Sequence, residues 1–459
     1  MSGRLRPLLA VLITVCALAA PDQTAAQFFP DEEPTNAQIK FGCDPGPVEP
    51  LEHADPPTPP RRSMSADLPV TPMTLTVSNG ESGRAVAGMG FNLEHTLWSC
   101  RPFRRILSPW ILQPFQPEIA RVDSGQLPLA PEDLSAEQLN WQVYQSMMDD
   151  PKYRPGWEML RRLNSEHVRL MLGVWGAPGA FTDDGTRRGR LLPEYVEQYG
   201  EYYEAIVDYL VNRQSVPIWS ATVMNEPDGG DGTLIDPELF VDVAAELGPR
   251  LARYGVALYG PDTASAANAL PYVDALLDDR KTLRYFNTLS THEYFADNNV
   301  TDLVDLIQSH GLSLPLYVTE YTSFMFGAMD RGQAASDEVG HLLDTLNTYF
   351  SLMNGGADAA LYWDAVDYYQ AGHSAVTRWG LLQGPDAGFE PRKRYYGLRQ
   401  VLPYLQPGAR IAPTHLDGRH PLSSLAVLNR DESIDDVMVA LVNRGGPVAL
   451  QVLFEGPAP

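Results

Sequence analysis

Short apolar runs alternate with longer segments of helical spacing along most of the chain. In segments 193–214, 237–254 and 337–353, apolar residues recur every three or four positions, the spacing of an amphipathic helix. The runs between such segments are rich in β-branched and aromatic residues and stop at polar ones, as buried strands do. Eight runs meet this description: Val86–Asn92, Glu118–Asp123, His167–Leu172, Ile218–Met224, Ala257–Tyr259, Thr288–His292, Leu316–Thr319 and Ala359–Trp363.

Strands that alternate with helices predict βαβ units and a parallel sheet. Eight of them within residues 86–363 fit an α/β protein built on a (β/α)8 TIM barrel, with its helices outside. An open doubly wound sheet is the alternative fold. Its Gly-rich phosphate turn has no counterpart here, so the sequence favours the barrel.

After Tyr396 the pattern changes. Ser424–Leu428, Asp436–Val442 and Val448–Phe454 alternate between apolar and polar residues, which predicts a small side β-domain. Met73–Val77 alternates in the same way ahead of the barrel, and we expect it to pair with that domain. The predicted division is a signal peptide (1–26), a Pro-rich acidic leader (27–65), the N-terminal strand of the side β-domain (66–84), the barrel (85–405) and the C-terminal β-domain (406–459).

The first residues are typical of a secretory signal. Arg4 and Arg6 precede the apolar run Leu8–Ala20, and Thr24–Ala26 offers small residues for cleavage. A membrane anchor is the alternative, but about thirteen apolar residues are too few to cross the hydrocarbon layer. We therefore expect a secreted or periplasmic protein with no membrane span.

The three cysteines suggest a disulfide rather than a metal site. Cys16 leaves with the signal, which leaves Cys43 and Cys100. Exported proteins commonly pair such cysteines, although two free buried thiols are the alternative. Neither cysteine has metal-ligand spacing, and the nine histidines are scattered. We expect no metal and no cofactor.

The net charge of the chain limits the kinds of molecule that it can bind. The chain has 34 basic and 58 acidic residues, a formal net charge of -24, which repels nucleic acid and anionic membranes. Its hydrophobic content of 44% is that of an ordered globular protein. We expect a monomer with no nucleic-acid partner.

Two glutamates end predicted strands. Glu226 follows Ile218–Met224, and Glu320 follows Leu316–Thr319. Side chains at the carboxyl ends of barrel strands converge over the axis, so both should face one cleft. Taken singly, a glutamate at a strand end is more often a helix cap or a salt-bridge partner. Together they offer the two carboxyl groups that glycoside hydrolysis requires.

Several short motifs follow one another in order along the chain. They are Thr74–Phe91, Val174–Pro178, Met224–Pro227, Thr291–Tyr294, Val318–Tyr321, Leu361–Trp363 and the passage 395–408. Their order and spacing resemble those of the clan A retaining glycoside hydrolases, and family 30 most of all. Families 39 and 5 share most of these motifs, and the C-terminal β unit is shorter than the side domain usual in family 30.

The resemblance implies a double-displacement mechanism. Glu320 would be the nucleophile and Glu226 the acid and then the base, with carboxyl groups about 5–5.5 Å apart. Asn225 would bind the sugar 2-hydroxyl; the alternative is that it caps its strand end. Tyr294 would donate a hydrogen bond to Glu320 and orient it.

Other side chains at strand ends are candidates for the cleft. Arg121 would pair with Glu320 and lower its pKa; the alternative is a salt bridge at the rim. His292 either lines the cleft or is a core histidine. Sugar faces are apolar and flat, so exposed indoles can bind them, although aromatic residues are more often core. The candidate indoles are Trp363, Trp175 and Trp98.

The sequence therefore predicts a secreted retaining β-glycoside hydrolase that cleaves a polysaccharide or glycoconjugate. A non-catalytic carbohydrate-binding protein on a degenerate barrel is the alternative, and it would have lost one glutamate. A metal-dependent barrel hydrolase would need clustered histidines and carboxylates. The sugar, the linkage and the endo or exo action depend on loops, which residue patterns do not define.

Overall fold

In the computed structural model, the described residues are 71–78, 84–93, 105–123, 146, 148–149, 154–229, 231–294, 300–323, 338–367, 379–384, 388–418, 420–431 and 434–455. Cys43, Trp98, Cys100 and the signal segment lie outside these residues, so the expectations about them stay predictions. Within the described ranges, no helix combines the length and apolar character needed to cross a membrane.

Among the described residues, eight parallel strands close into a barrel, as the sequence predicts. Strand β1 (Thr71–Ser78) precedes it. The barrel strands are β2 (Gly90–Leu93), β3 (Ile119–Asp123), β4 (Arg169–Gly173), β5 (Ser220–Thr222), β6 (Ala257–Thr263), β7 (Phe286–His292), β8 (Leu316–Tyr321) and β9 (Ala359–Tyr362). Strand β9 returns to β2, where Leu361 lies opposite Gly90. This closure rules out the open doubly wound sheet.

Helices cover the outside of the barrel. The longer ones are α1 (Arg154–Ser165), α2 (Val196–Asp208), α3 (Pro237–Ala252), α4 (Ala266–Asp278), α5 (Val300–Ser309), α6 (Glu338–Asn354) and α7 (Lys393–Arg399). Short helical turns are Ser108–Leu112, Gln113–Phe115, Gly179–Phe181, Pro193–Tyr195, Tyr209–Arg213, Arg280–Leu283 and Leu402–Tyr404. The expected helices at 193–214, 237–254 and 337–353 are confirmed. Pro237 stands at the start of α3, where its missing N–H costs nothing.

Two apolar layers follow from the alternation of side chains along each strand. One face of the strands packs against the helices in a large core. The opposite face forms a smaller cluster: Ile119, Met171, Tyr259, Tyr317, Ala359 and Leu361. A Cβ at position 90 would lie 2.4 Å from the carbonyl oxygen of Ile119, so only glycine lets β2 approach β3 this closely.

A side domain joins the first and last described strands. Its other members are β10 (Arg410–Ala412), β11 (Thr414–Leu416), β12 (Leu422–Asp431), β13 (Ile434–Asn443) and β14 (Val448–Glu455). Strand β1 lies between antiparallel β11 and parallel β14, while β10, β12 and β13 form an antiparallel sheet. The two sheets share a core that includes Leu75, Val77 and Leu441. The predicted pairing of an N-terminal strand with the C-terminal unit is confirmed.

The side domain is attached away from the carboxyl ends of the barrel strands. Asn354 of α6 donates to the carbonyl oxygen of Ser424 over 2.8 Å. Arg84, in the link between β1 and β2, forms a bidentate ion pair with Asp358 at 2.7 Å, just before β9 begins. Asp358 also accepts from the N–H of Leu316, the first residue of β8. These contacts leave the opposite end of the barrel for a site.

Candidate active site

Both glutamates lie at the carboxyl end of the barrel. Glu226 follows β5, and Glu320 is near the end of β8. They are 8% and 3% exposed, and one carboxylate oxygen of Glu226 lies within 4.8 Å of one of Glu320. Retaining glycosidases have carboxyl groups about 5–5.5 Å apart, whereas inverting ones need roughly 6.5–9.5 Å to admit a water molecule. These two oxygens are nearer to each other than the carboxyl separation that an inverting pair needs.

Glu226 is held in an unusual backbone conformation. Its φ of 41° is in the left-handed region, which costs a non-glycine residue about 1–3 kcal/mol. Its N–H donates to the carbonyl oxygen of Asp262 at 2.9 Å, beyond the end of β5 at Thr222. The carboxyl group thereby meets His292, with Oε1 3.0 Å from Nδ1.

The guanidinium of Arg121 is fully buried at the centre of the site. Arg121 follows Ile119 by two positions in β3 and therefore lies on the same inner face. Its acceptors are the side-chain oxygens of Glu320, Asn92, Asn225, Asp262 and Tyr259, at 2.5, 3.0, 2.6, 3.0 and 3.1 Å. Every N–H of the group has an acceptor, so the guanidinium is fixed in one orientation.

Glu320 receives a donor on each carboxylate oxygen. Arg121 donates to Oε1, and the Tyr294 hydroxyl donates to Oε2. The expected pairing with Arg121 is thus present, but the expected low pKa is wrong. Burial raises the pKa of Glu320 above its ordinary value; His292, Arg121 and Tyr294 offset only part of this, and Glu226 raises it further.

His292 lies between the two carboxyl groups and is fully buried. Its Nδ1 is 3.0 Å from Glu226, and its Nε2 is 3.3 Å from Oε1 of Glu320 without hydrogen-bond geometry. Burial lowers the pKa of His292, but the negative charges of Glu320, Glu226 and Asp262 outweigh burial and raise it above its ordinary value. The structure therefore places His292 in the site and not in the apolar core.

Asn225 is fixed on both sides of its amide group. Its Oδ1 accepts from Arg121 at 2.6 Å, and its Nδ2 donates to the carbonyl oxygen of Asp231 at 3.4 Å. A Cβ at Gly232 would lie 1.7 Å from the Asn225 carbonyl oxygen, so this close approach requires glycine. Contact of Asn225 with a sugar hydroxyl stays a prediction.

Trp175 and Trp363 lie side by side after β4 and β9, with ring centroids 6.0 Å apart. They are 8% and 7% exposed. The Arg121 guanidinium lies 4.5 Å from the centroid of the Trp175 ring, a cation–π contact that occupies one face of that indole. Trp175 therefore supports Arg121. Sugar stacking on Trp363 stays a prediction.

Proteins similar to this chain are found by structure and not by sequence. No protein-family model matches the sequence, and no curated protein matches it. Similar solved structures include a glycoside hydrolase family 30 endoxylanase from Clostridium papyrosolvens C71, with 17% identity and a TM-score of 0.57 over 78% of this chain and 82% of that one. An endo-β-1,6-glucanase is 16% identical, with a TM-score of 0.60 over 78% and 84% of the chains. The chain has the fold of clan A glycoside hydrolases.

A member of another clan A family shows the same fold. The family 39 β-xylosidase from Caulobacter crescentus is 13% identical, with a TM-score of 0.51 over 83% of each chain. Because identities this low establish the fold and not the activity, the chemistry has to be argued from the site itself.

The site of this clan A fold also contains three residues that were not predicted from the sequence. They complete it through Arg121 and are Asn92, Tyr259 and Asp262. Each is a polar residue on the inner face of a barrel strand, and this position could have identified it as a site residue. The predicted strand ended at Tyr259, so Asp262 lay outside it. In the structure, β6 continues to Thr263.

Proposed function

We propose that the protein is a secreted retaining β-glycoside hydrolase. The observation that carries the proposal is the pair of buried glutamates after β5 and in β8, with carboxylate oxygens within 4.8 Å of each other. A non-catalytic binding protein has no need of this pair, nor of the donors that Arg121 and Tyr294 supply to Glu320. The clan A fold supports the proposal by analogy.

In the first step, the Glu320 carboxylate attacks the anomeric carbon of the sugar. The bond from that carbon to the leaving oxygen breaks, and Glu226 donates its proton to that oxygen. The products of this step are a glycosyl ester on Glu320, the released alcohol and an ionised Glu226. The attack inverts the anomeric configuration once.

In the second step, Glu226 takes a proton from a water molecule, and the water oxygen attacks the anomeric carbon from the face that the leaving group vacated. The ester bond to Glu320 breaks, which restores its carboxylate and inverts the configuration again. The net reaction consumes one water and retains the β configuration.

The surrounding residues hold these groups through both steps. Arg121 and Tyr294 orient the attacking oxygens of Glu320 before the reaction. When Glu320 becomes an ester and loses its charge, Arg121 still has Asp262 and Asn225 as acceptors. The guanidinium therefore stays in position for the second step, and little reorganisation is required.

For substrate and location we propose a β-linked glycan outside the cytoplasm. By name, the similar solved structures are an endoxylanase, an endo-β-1,6-glucanase and a β-xylosidase, and we extend to this chain the β-glycosidic bond that they share. The proposal of export rests on Arg4, Arg6 and the apolar run 8–20. A disulfide between Cys43 and Cys100 would form in that environment.

A panel of β-linked polysaccharides and aryl β-glycosides tests the function. We expect cleavage with the β anomer as the first product, followed by NMR, and product sizes that distinguish endo from exo action. Cleavage should continue in the presence of EDTA. Loss of cleavage on chelation would instead indicate a metal-dependent hydrolase, and binding without cleavage would indicate a non-catalytic protein. An α anomer as first product would contradict retention.

Tyr294→Phe is expected to move the acid limb of the kcat/KM pH profile to higher pH. Glu320 must be ionised to attack, so activity is lost as pH falls through its pKa, which burial raises above the ordinary value. The Tyr294 hydroxyl lowers this pKa by donating to the carboxylate, and its removal raises the pKa further. Rates on an aryl β-glycoside across pH measure the limb.

Tyr285→Phe is the matched control for this prediction. The Tyr285 hydroxyl contacts Arg284 on the outside of the barrel, so the profile of that variant should match that of the unaltered protein. An unshifted acid limb in Tyr294→Phe, with folding intact, would show that Tyr294 does not act on Glu320.

A further inference from the structure

Asp262 contacts both halves of the site. It is fully buried in β6. Its carbonyl oxygen accepts the N–H of Glu226 at 2.9 Å, and its Oδ2 accepts from Nη2 of Arg121 at 3.0 Å. Since Arg121 holds Glu320 with its other terminal nitrogen, Asp262 is linked to both glutamates.

The carboxylate of Asp262 is itself firmly held. Its Oδ1 accepts from the hydroxyls of Ser290 at 2.6 Å and Thr319 at 2.5 Å, and Thr319 directly precedes Glu320. The backbone of Asp262 has a φ of 57°, a conformation unfavourable for a residue with a side chain. Such a conformation persists only where the surrounding contacts determine it.

Asp262 also changes the charge balance of the site. Arg121 contributes one positive charge, against the three acidic groups of Asp262, Glu226 and Glu320. His292 lies among them, with Nε2 4.0 Å from Oδ2 of Asp262, and the Tyr294 ring packs edge-on against it. The negative charge of Asp262 therefore favours a protonated His292 and an Arg121 that is shared between two carboxylates.

We propose that Asp262 is a positioning residue for both catalytic glutamates. It sets the backbone direction of Glu226 through its carbonyl group, and it sets the carboxylate of Glu320 through Arg121. This inference rests on the proposed glycosidase function. Asp262 makes no bond to the substrate; its charge and its hydrogen bonds act through its neighbours.

Asp262→Asn tests the proposal, because asparagine keeps the shape and an acceptor for Arg121 but removes the charge. We expect kcat to fall roughly 10²-fold, the cost of slightly misplaced reacting groups, with KM nearly unchanged. We also expect the pH profile of kcat/KM to move to lower pH, because the loss of a negative charge lowers the pKa of neighbouring groups. A purely structural role would lower thermal stability and leave the profile where it is.

Asp228→Asn is the matched control. Asp228 is an acid at the same end of the barrel, but it accepts from the Ala264 N–H and the Asn268 side chain. Its removal should leave kcat and the pH profile unchanged. A wild-type kcat or an unshifted profile in Asp262→Asn, or an equal shift in Asp228→Asn, would overturn the proposal.

Two further measurements keep the test decisive. If Asp262→Asn does not fold, Ser290→Ala removes one donor from the same carboxylate, and a lower kcat at constant KM is expected; a wild-type kcat overturns the proposal. If the unaltered protein cleaves no β-glycoside, the proposed function fails. The His292 titration by NMR then decides alone: its midpoint should be lower in Asp262→Asn, and an unchanged midpoint overturns the positioning role.

Discussion

Glu320→Gln is expected to reduce turnover of an aryl β-glycoside by roughly 10⁵–10⁶-fold, the scale seen when a covalent nucleophile is removed. An amide oxygen is too weak a nucleophile to form the glycosyl intermediate. Glutamine keeps the shape of the side chain and an acceptor for Arg121, and the Tyr294 hydroxyl can turn to accept from its amide. The loss should therefore appear in catalysis, with the fold intact.

Glu293→Gln gives the matched comparison. Glu293 is a buried acid at the same end of the barrel, but its Oε2 accepts from the N–H of Ala266 at the start of α4. That variant should keep most of its activity. Substantial turnover by Glu320→Gln, or a β-glycosyl azide from it when azide is added, would remove Glu320 from the nucleophile role.

The activity of Glu226→Ala is expected to depend on the leaving group of the substrate. An activated aryl group leaves with little help from an acid, so the first step survives and hydrolysis of the intermediate becomes slow for want of a base. Azide needs no base and should restore turnover, with a β-glycosyl azide as product. A natural polysaccharide has a poor leaving group, and its cleavage should fall roughly 10²–10⁴-fold.

The configuration of the azide product decides between the two glutamates. A β-glycosyl azide from Glu226→Ala means that azide attacked an intermediate still bound to Glu320. An α-glycosyl azide would mean that azide replaced the missing carboxylate, which would make Glu226 the nucleophile and reverse the roles. Near-normal cleavage of polysaccharide by Glu226→Ala would remove it from the acid role.

The strands could be predicted from the sequence because the residues that indicate a strand are adjacent in the chain. The run from Leu316 is β-branched and aromatic, and it follows a proline; the predicted segment 316–319 corresponds to the observed Leu316–Tyr321. Once β5 and β8, the fourth and seventh strands of the barrel, are located, the barrel topology brings their carboxyl ends together. The pairing of Glu226 with Glu320 therefore needed only the strand order.

The network around Arg121 could not be read in the same way. Its five acceptors come from four separate segments of the chain, and they meet only when the barrel closes. Nothing near Asp262 in sequence shows that its carboxylate will face Arg121. The prediction of a low pKa for Glu320 was wrong for a related reason. A charged partner can be predicted from the residues at strand ends, whereas the effect of burial on a pKa depends on all the residues that pack around the group.

The pairing of β1 with β14, with Thr71 opposite Val448, has a consequence for the order of synthesis. Of the described strands, β1 leaves the ribosome first and β14 last. Each βα unit of the barrel can pack on its neighbour as it emerges, whereas this sheet has to wait for nearly all of the intervening chain. A truncation that removed residues 448–455 would leave β1 with an unpaired edge, open to pairing with other chains.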